Sequence, residues 1–224
     1  MRSIHTQDPF HARLARIGLV AAAGYGFVLA GGYVVQAHGF LERLSNDVDL
    51  FTDIVDPSAF SEAVGAVAAA YRVADLTIEV EKSAGVFARF AVADEQGHMA
   101  KVELGCDWRA RPPAVLEIGP VLHPDGAVAN EVTTIFGRAA PRDYRDANAA
   151  LASGRYSGER LLQLAAEHDA GFDPGYFAQA LLAVDRWPDR EYKTYGFDGG
   201  QVENMRRRLR AWAAEILDER LDGQ

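Results

Sequence analysis

The sequence predicts a mixed α+β protein: a small mixed sheet with helices, followed by a helical lobe. Three observations carry this. Residues 72–118 alternate apolar and polar side chains at period two, as strands with one buried face do. The segments on either side return to helical spacing. A Ser/Gly stretch at 153–158 then sets off a C-terminal third in which every periodic segment is helical. The domains read from this are residues 1–150, a core, and 151–224, a helical lobe.

The elements follow in order. Residues 9–23 are predicted helical, with Leu14, Ile17 and Val20 on one face and Arg13 and Arg16 opposite. Phe27-Val-Leu-Ala is a short apolar strand ending at Gly31-Gly32. Helical spacing resumes over 33–43. Asp47 to Phe51 alternate as a strand, and Pro57 opens an alanine-rich helix to residue 71. Thr77–Glu81, Val86–Val92 and His98–Leu104 read as strands, the last two joined across Asp94-Glu-Gln-Gly. Asp125-Gly126 reads as a turn, residues 127–137 as a helix closed by Gly137, and Pro141 as the opening of the next helix. Asp173-Pro174 caps a helix through Val184. In the last helix Val202, Met205, Leu209, Trp212 and Ile216 step by three and four, a core-facing stripe.

Composition narrows the function. The 224 residues carry a net charge of −9, which argues against a general nucleic-acid coating protein, although a local basic groove is compatible with it. One cysteine, Cys106, allows no internal disulfide and fits a reducing cytosol. Residues 17–37 carry no charge, but glycines at 18, 24, 26, 31 and 32 divide the stretch. It reads as helix end, buried strand and helix start, so no membrane segment is expected.

The most informative stretch is 31–53. Strand side chains alternate faces, so Asp47 and Asp49 point the same way while Val48 points into the core. Two carboxylates side by side repel unless a cation joins them, and hard cations such as Mg²⁺ take carboxylate and phosphate oxygens. The preceding glycine pair offers backbone that a phosphate can approach. Glu103 shares a strand face with Lys101, its expected partner. Arg142 and Asp146, four apart on a helix, can pair with each other. Arg206-Arg-Arg and Arg210 form the densest basic run; a solvated helix face is the simpler reading, contact with an RNA backbone the other. His38 reads as a hydrogen-bonded core residue.

Gly31, Gly32, Arg43, Ser45, Asp47 and Asp49 together resemble the first motif of nucleotidyltransferases of the AbiEii/AbiGii toxin type. These belong to the polymerase-β-like superfamily and are usually the toxin halves of type IV toxin–antitoxin systems. A helix, a strand acid at Glu103, and Arg138 with Arg142-Asp143-x-x-Asp146 follow in the family's order. The resemblance covers residues 10–150 closely and the C-terminal helices by type only.

The resemblance implies a polymerase-β-like core and a Mg²⁺-dependent (or Mn²⁺-dependent) transfer of a nucleoside monophosphate from an NTP to an acceptor. Asp47, Asp49 and Glu103 would be the metal-binding catalytic set. Gly31, Gly32, Arg43, Ser45, Arg138, Arg142, Asp143 and Asp146 would form the nucleotide-binding set. The acceptor would be a tRNA 3′ end, or a protein, and a cognate antitoxin and a cytoplasmic location are implied. One residue departs from the pattern: after His123-Pro-Asp-Gly-Ala-Val-Ala-Asn the family places a lysine facing the nucleotide, and this chain has Glu131. A weakly active or inactive protein of the same fold, or a small-molecule nucleotidyltransferase, are the alternatives.

Overall fold

The computed structural model describes residues 8–40 and 47–222. The chain forms two compact units, Met1–Ala127 and Val128–Gln224.

In the first unit the strands are β1 (Val28–Ala30), β2 (Asp47–Thr52), β3 (Thr77–Ala84), β4 (Phe87–Ala93), β5 (Met99–Cys106), β6 (Ala114–Leu116) and β7 (Gly119–Val121). Among the described residues they form one seven-stranded mixed sheet in the order β3-β4-β5-β2-β1-β7-β6. The pair β2–β5 is parallel and β1–β2 antiparallel, so β2 sits at the centre of the carboxylate region. The helices of this unit are α1 (Pro9–Ala21), α2 (Gly31–Ala37) and α3 (Pro57–Val73), and α1 and α3 pack together on one face of the sheet. Both begin alike: Asp8 and Asp56 accept from the first-turn amides, with proline in the first turn.

The covered face holds Val48 and Leu50 of β2, Val102 and Leu104 of β5, and Ala88, Phe90 and Val92 of β4, all buried. Leu14, Leu19, Phe60, Val67 and Tyr71 of the two helices complete this core. The Tyr71 hydroxyl donates to the Leu14 carbonyl at 3.0 Å, tying α3 to α1 without leaving a buried donor open. Each large aliphatic side chain so buried contributes about 1.5–3 kcal/mol, and the alternation forces the intervening residues, Asp47, Asp49 and Glu103 among them, onto the opposite face.

Two expectations are revised. Asp125-Gly126 is not a turn: both lie inside α4 (Pro124–Gly137), where Pro124 opens the helix and Asp125 sits in the first turn, favoured by the helix dipole. The helix after the glycine pair, α2, stops at Ala37, and residues 41–43 of the expected helix lie outside the described residues. The uncharged 17–37 stretch is divided among α1, β1 and α2, and among the described residues no helix is long and apolar enough to cross a membrane.

The second unit is helical: most of α4, then α5 (Pro141–Ala152), α6 (Gly158–His168), α7 (Pro174–Leu182), the short α8 (Asp189–Lys193) and the long α9 (Gly199–Asp222). The predicted stripe Val202, Met205, Leu209, Trp212 and Ile216 is buried. Phe136, Phe172, Phe177 and Trp212 follow one another in a row of tilted and edge-on ring contacts, with centroids 5.3, 5.3 and 5.1 Å apart. Asp173 and Ser157 accept from the first-turn amides of α7 and α6.

Candidate active site

The centre of the site is built by β1, α2, β2 and β5. Ala30, Asp49 and Glu103 are consecutive partners across β1, β2 and β5, and Asp47 pairs with Lys101 one step earlier on the same face. Both aspartates are half-buried, on either side of the buried Val48. The strand β1 passes straight into α2 at Gly31, whose φ of +61° belongs to the left-handed region that favours glycine. The Asp49 carboxylate lies against this turn: a Cβ on residue 31 would stand 2.7 Å from Asp49 Cγ, closer than two carbons can come. Gly31 therefore serves two purposes, the backbone turn and the room for Asp49.

Immediately behind the glycine pair, the Tyr33 hydroxyl is buried with no hydrogen-bond partner among the described residues. Burial, helped by the charge of Asp8 and opposed by Arg16, pushes its pKa up to about 12. His38 closes α2, with Nε2 2.8 Å from the Leu122 carbonyl. The carbonyl only accepts, so this ring nitrogen carries the proton.

Glu103 has a different partner from the one expected. Lys101 reaches Glu81, at 3.6 Å, whereas Glu103 Oε1 accepts from Arg89 Nε at 2.8 Å and lies 2.7 Å from Arg89 Nη2. Arg89 stands directly opposite Glu103 on β4. Side chains facing across a strand pair are about 5 Å apart at Cβ, nearer than alternate residues along one strand, so the cross-strand arginine wins. The register follows from the hairpin end, where the Asp94 amide donates to the His98 carbonyl: the loop is residues 95–97, which puts 89 opposite 103, whereas a four-residue Asp94–Gly97 loop would put 88 there. Among the described residues no three of the His, Cys, Asp and Glu side chains are gathered closely enough to hold a metal ion. Asp47 and Asp49 by themselves supply hard oxygen donors on one face beside the Gly31 turn, a set that fits a divalent cation; Glu103 is adjacent but engaged with Arg89.

The other predicted residues of the site belong to the second unit. Asp143 is 1% exposed in its side chain and is the hub there. It accepts from Arg138 Nε at 3.0 Å and from Arg138 Nη2, and from the Ala140 amide at 2.8 Å, so it caps α5 as well. Arg142 Nε lies 3.8 Å from the same carboxylate, and thus Asp143, not Asp146, is its neighbouring acid. The Asp143 hydrogen bonds hold Arg138 above the usual arginine range, and the charge of Glu131 adds to the effect. Asp146 and Glu131 are both buried. Arg43 and Ser45 lie outside the described residues.

The basic run of α9 is committed within the unit. Arg210 makes two bonds to Asp185, at 2.8 and 2.7 Å, and Arg208 donates to Asn148 at 2.7 Å. Arg206 donates to Asp189 at 2.6 Å and to the Trp187 carbonyl at 2.7 Å.

Solved structures of nucleotidyltransferases share this mixed sheet with its helices. MenT4, a nucleotidyltransferase toxin from Mycobacterium tuberculosis H37Rv, superposes with a TM-score of 0.62 at 18% identity, covering 95% of this chain and 86% of its own. JHP933 from Helicobacter pylori gives 0.59 at 18% identity, covering 96% of this chain and 94% of that one. At this identity the likeness establishes the fold. The chain belongs to the nucleotidyl transferase AbiEii toxin family of type IV toxin–antitoxin systems, whose profile matches residues 14–222. It is therefore a nucleotidyltransferase, and its family implies an NTP substrate and an antitoxin partner. No curated protein sequence matches it.

Proposed function

We propose that this protein transfers a nucleoside monophosphate from an NTP to the 3′ end of tRNA, using Mg²⁺ (or Mn²⁺) held by Asp47 and Asp49, with Glu103 as a further ligand. The observation that carries the reading is the pair Asp47–Asp49 on the open sheet face, with Asp49 packed against Gly31 where α2 begins. When bound, the cation supplies charge neutralisation for the triphosphate and for the α-phosphate under in-line attack. Gly31 and Gly32 are assigned to backbone contacts with a phosphate on the family motif; the side-chain space at Gly31 itself is taken by Asp49. Ser45 and Arg43 are assigned to phosphate contacts on the family motif. In the second unit Arg138 and Arg142 are the proposed cations for triphosphate oxygens, where a planar guanidinium fork matches the geometry. Asp143 fixes the Arg138 fork, and Asp146 completes that set. Residues 1–150 are taken as the transferase core, and the cytoplasm as its location.

The test is incubation of pure protein with labelled NTPs, Mg²⁺ and total tRNA, beside Asp49→Ala. Label on tRNA that disappears in the variant is the expected result. Label on protein alone would replace tRNA by a protein acceptor. No label, or label unchanged in Asp49→Ala, would overturn the reading.

A second reading, nucleotide binding with little turnover, rests on Glu131. This buried carboxylate on α4 stands where the family places lysine, and its charge acts on Arg138. Calorimetric binding of NTP without transfer, together with a gain of transfer in Glu131→Lys, would favour it.

A further inference from the structure

The three carboxylates of the family motif occupy the open face of β2 and β5, yet they do not form one set. Asp47 and Asp49 share a strand, while the third acid is held by a residue outside that motif. Arg89 on β4 faces Glu103 across the β4–β5 ladder, as Asp49 faces it across β2–β5, so the row runs Asp49, Glu103, Arg89 over three adjacent strands. Glu103 thus stands between an acid on one side and a guanidinium on the other. Repulsion from Asp49 and attraction to Arg89 act in the same direction, drawing the Glu103 carboxylate toward β4. Both guanidinium contacts fall on the same oxygen, Oε1. The pair is neither sealed nor fully solvated, with side chains 36% and 22% exposed, and an ion can reach it. The Arg89 guanidinium has a second support, 5.6 Å from the Phe87 ring centroid, that does not depend on Glu103.

We infer that Arg89 is a positioning residue that withholds Glu103 from the divalent-cation site until the cation displaces it. The inference rests on the proposed metal role of Asp47 and Asp49 and deepens it. The cation enters at the aspartate pair and reverses the sign of the field on the Asp49 side of Glu103. The Glu103 carboxylate then exchanges one ion pair for another, and Arg89 stays against Phe87. The intrinsic affinity for the cation is reduced by the strength of the Arg89–Glu103 pair, and replacing Arg89 removes that competition.

The test uses the full chain freed of metal, with Mn²⁺ binding followed by calorimetry and by the paramagnetic resonance of the free ion, so that no turnover is needed. Arg89→Ala and Arg89→Gln are both measured, the second keeping a polar chain of similar length. The expected result is Mn²⁺ bound roughly three- to fivefold more tightly in both, the range that breaking a half-exposed ion pair permits. Arg89→Lys, which keeps the charge and loses the fork, is expected between them and the wild type. Glu103→Gln binds Mn²⁺ more weakly, and adding Arg89→Ala to it produces no further change, because the withheld group is gone. Unchanged or weaker Mn²⁺ binding in both Arg89 variants would overturn the inference. So would an equal gain in the Glu103→Gln background, which would make Arg89 a distant charge and no more. Asp49→Ala separates the two levels: if it leaves Mn²⁺ binding intact, the metal reading itself fails; if it abolishes binding while the Arg89 variants behave as wild type, only the Arg89 inference fails.

Discussion

The carboxylate of Asp49 occupies the space that a side chain on residue 31 would need. A Cβ there would come within 2.7 Å of Asp49 Cγ, and the backbone at Gly31 has φ +61°. Gly31→Ala carries two costs. The left-handed conformation costs a residue with Cβ about 1–2 kcal/mol, and the clash must be relieved by moving Asp49. The expected outcome is a loss of about 2 kcal/mol or more in denaturant unfolding, together with loss of the Mn²⁺-induced rise in thermal midpoint. A Gly31→Ala variant that binds Mn²⁺ as the wild type does would show that the Gly31–Asp49 contact has no bearing on the site.

Tyr33 lies two residues further on, and its hydroxyl is buried without a partner among the described residues. A buried donor left open costs about 1–3 kcal/mol, whereas an apolar replacement of the same shape avoids that cost. Tyr33→Phe is therefore expected to be neutral or to raise stability by up to about 1 kcal/mol, with transfer activity retained. A fall of stability in Tyr33→Phe would reveal a hydroxyl partner that forms in solution.

What could be read from the sequence follows the range of each interaction. The carboxylate strand, the β4–β5 hairpin and the α9 stripe were legible because alternation, a turn sequence and helical spacing are local. Strands β6 and β7, three residues each, are too short to show a period. The Asp125-Gly126 pair misleads because those residues favour turns, while Pro124 just before them opens a helix. Partner choice was the harder problem. Glu103 takes Arg89 rather than Lys101, and Gly31 meets Asp49, through strand registers that no single segment displays. The first depends on a hairpin loop of residues 95–97, one residue shorter than the Asp94-Glu-Gln-Gly turn, which would have put residue 88 opposite 103; the second needs the β1–β2 pairing, which spans an intervening helix.

The turn of that hairpin carries a titrating pair. His98 Nδ1 lies 2.8 Å from Asp94 Oδ2, and the ring tilts against Phe10 with centroids 5.8 Å apart. The hydrogen bond to Asp94, then the charge of Asp94, raises the imidazole pKa above its ordinary value of 6.5. A raised folded value means the pair contributes stability that is complete below pH 6.5 and is lost as the pH rises through the folded value. An NMR titration is expected to place the His98 midpoint above 6.5, and Asp94→Asn to bring it back toward 6.5. Equal midpoints in the two proteins would remove the pair as the cause.

The basic run of α9 provides a test of whether its charge serves RNA or the fold. Arg206 is 14% exposed in its side chain, bonded to Asp189 and to the Trp187 carbonyl, with its guanidinium 5.4 Å from the Tyr192 ring centroid. Arg210 holds Asp185 through paired bonds, which lower the pKa of that carboxyl below the usual aspartate value. These contacts fasten residues 185–192 to α9, and a guanidinium so engaged would have to give up existing partners to take a phosphate. Arg206→Ala removes a charge-assisted bond, a backbone bond and a cation–ring contact, and is expected to cost about 1–3 kcal/mol in equilibrium unfolding. Its affinity for tRNA, and the salt dependence of that affinity, are expected to match the wild type, since no phosphate contact is lost. A weaker affinity with a shallower salt slope and unchanged stability would instead assign Arg206 to the RNA backbone.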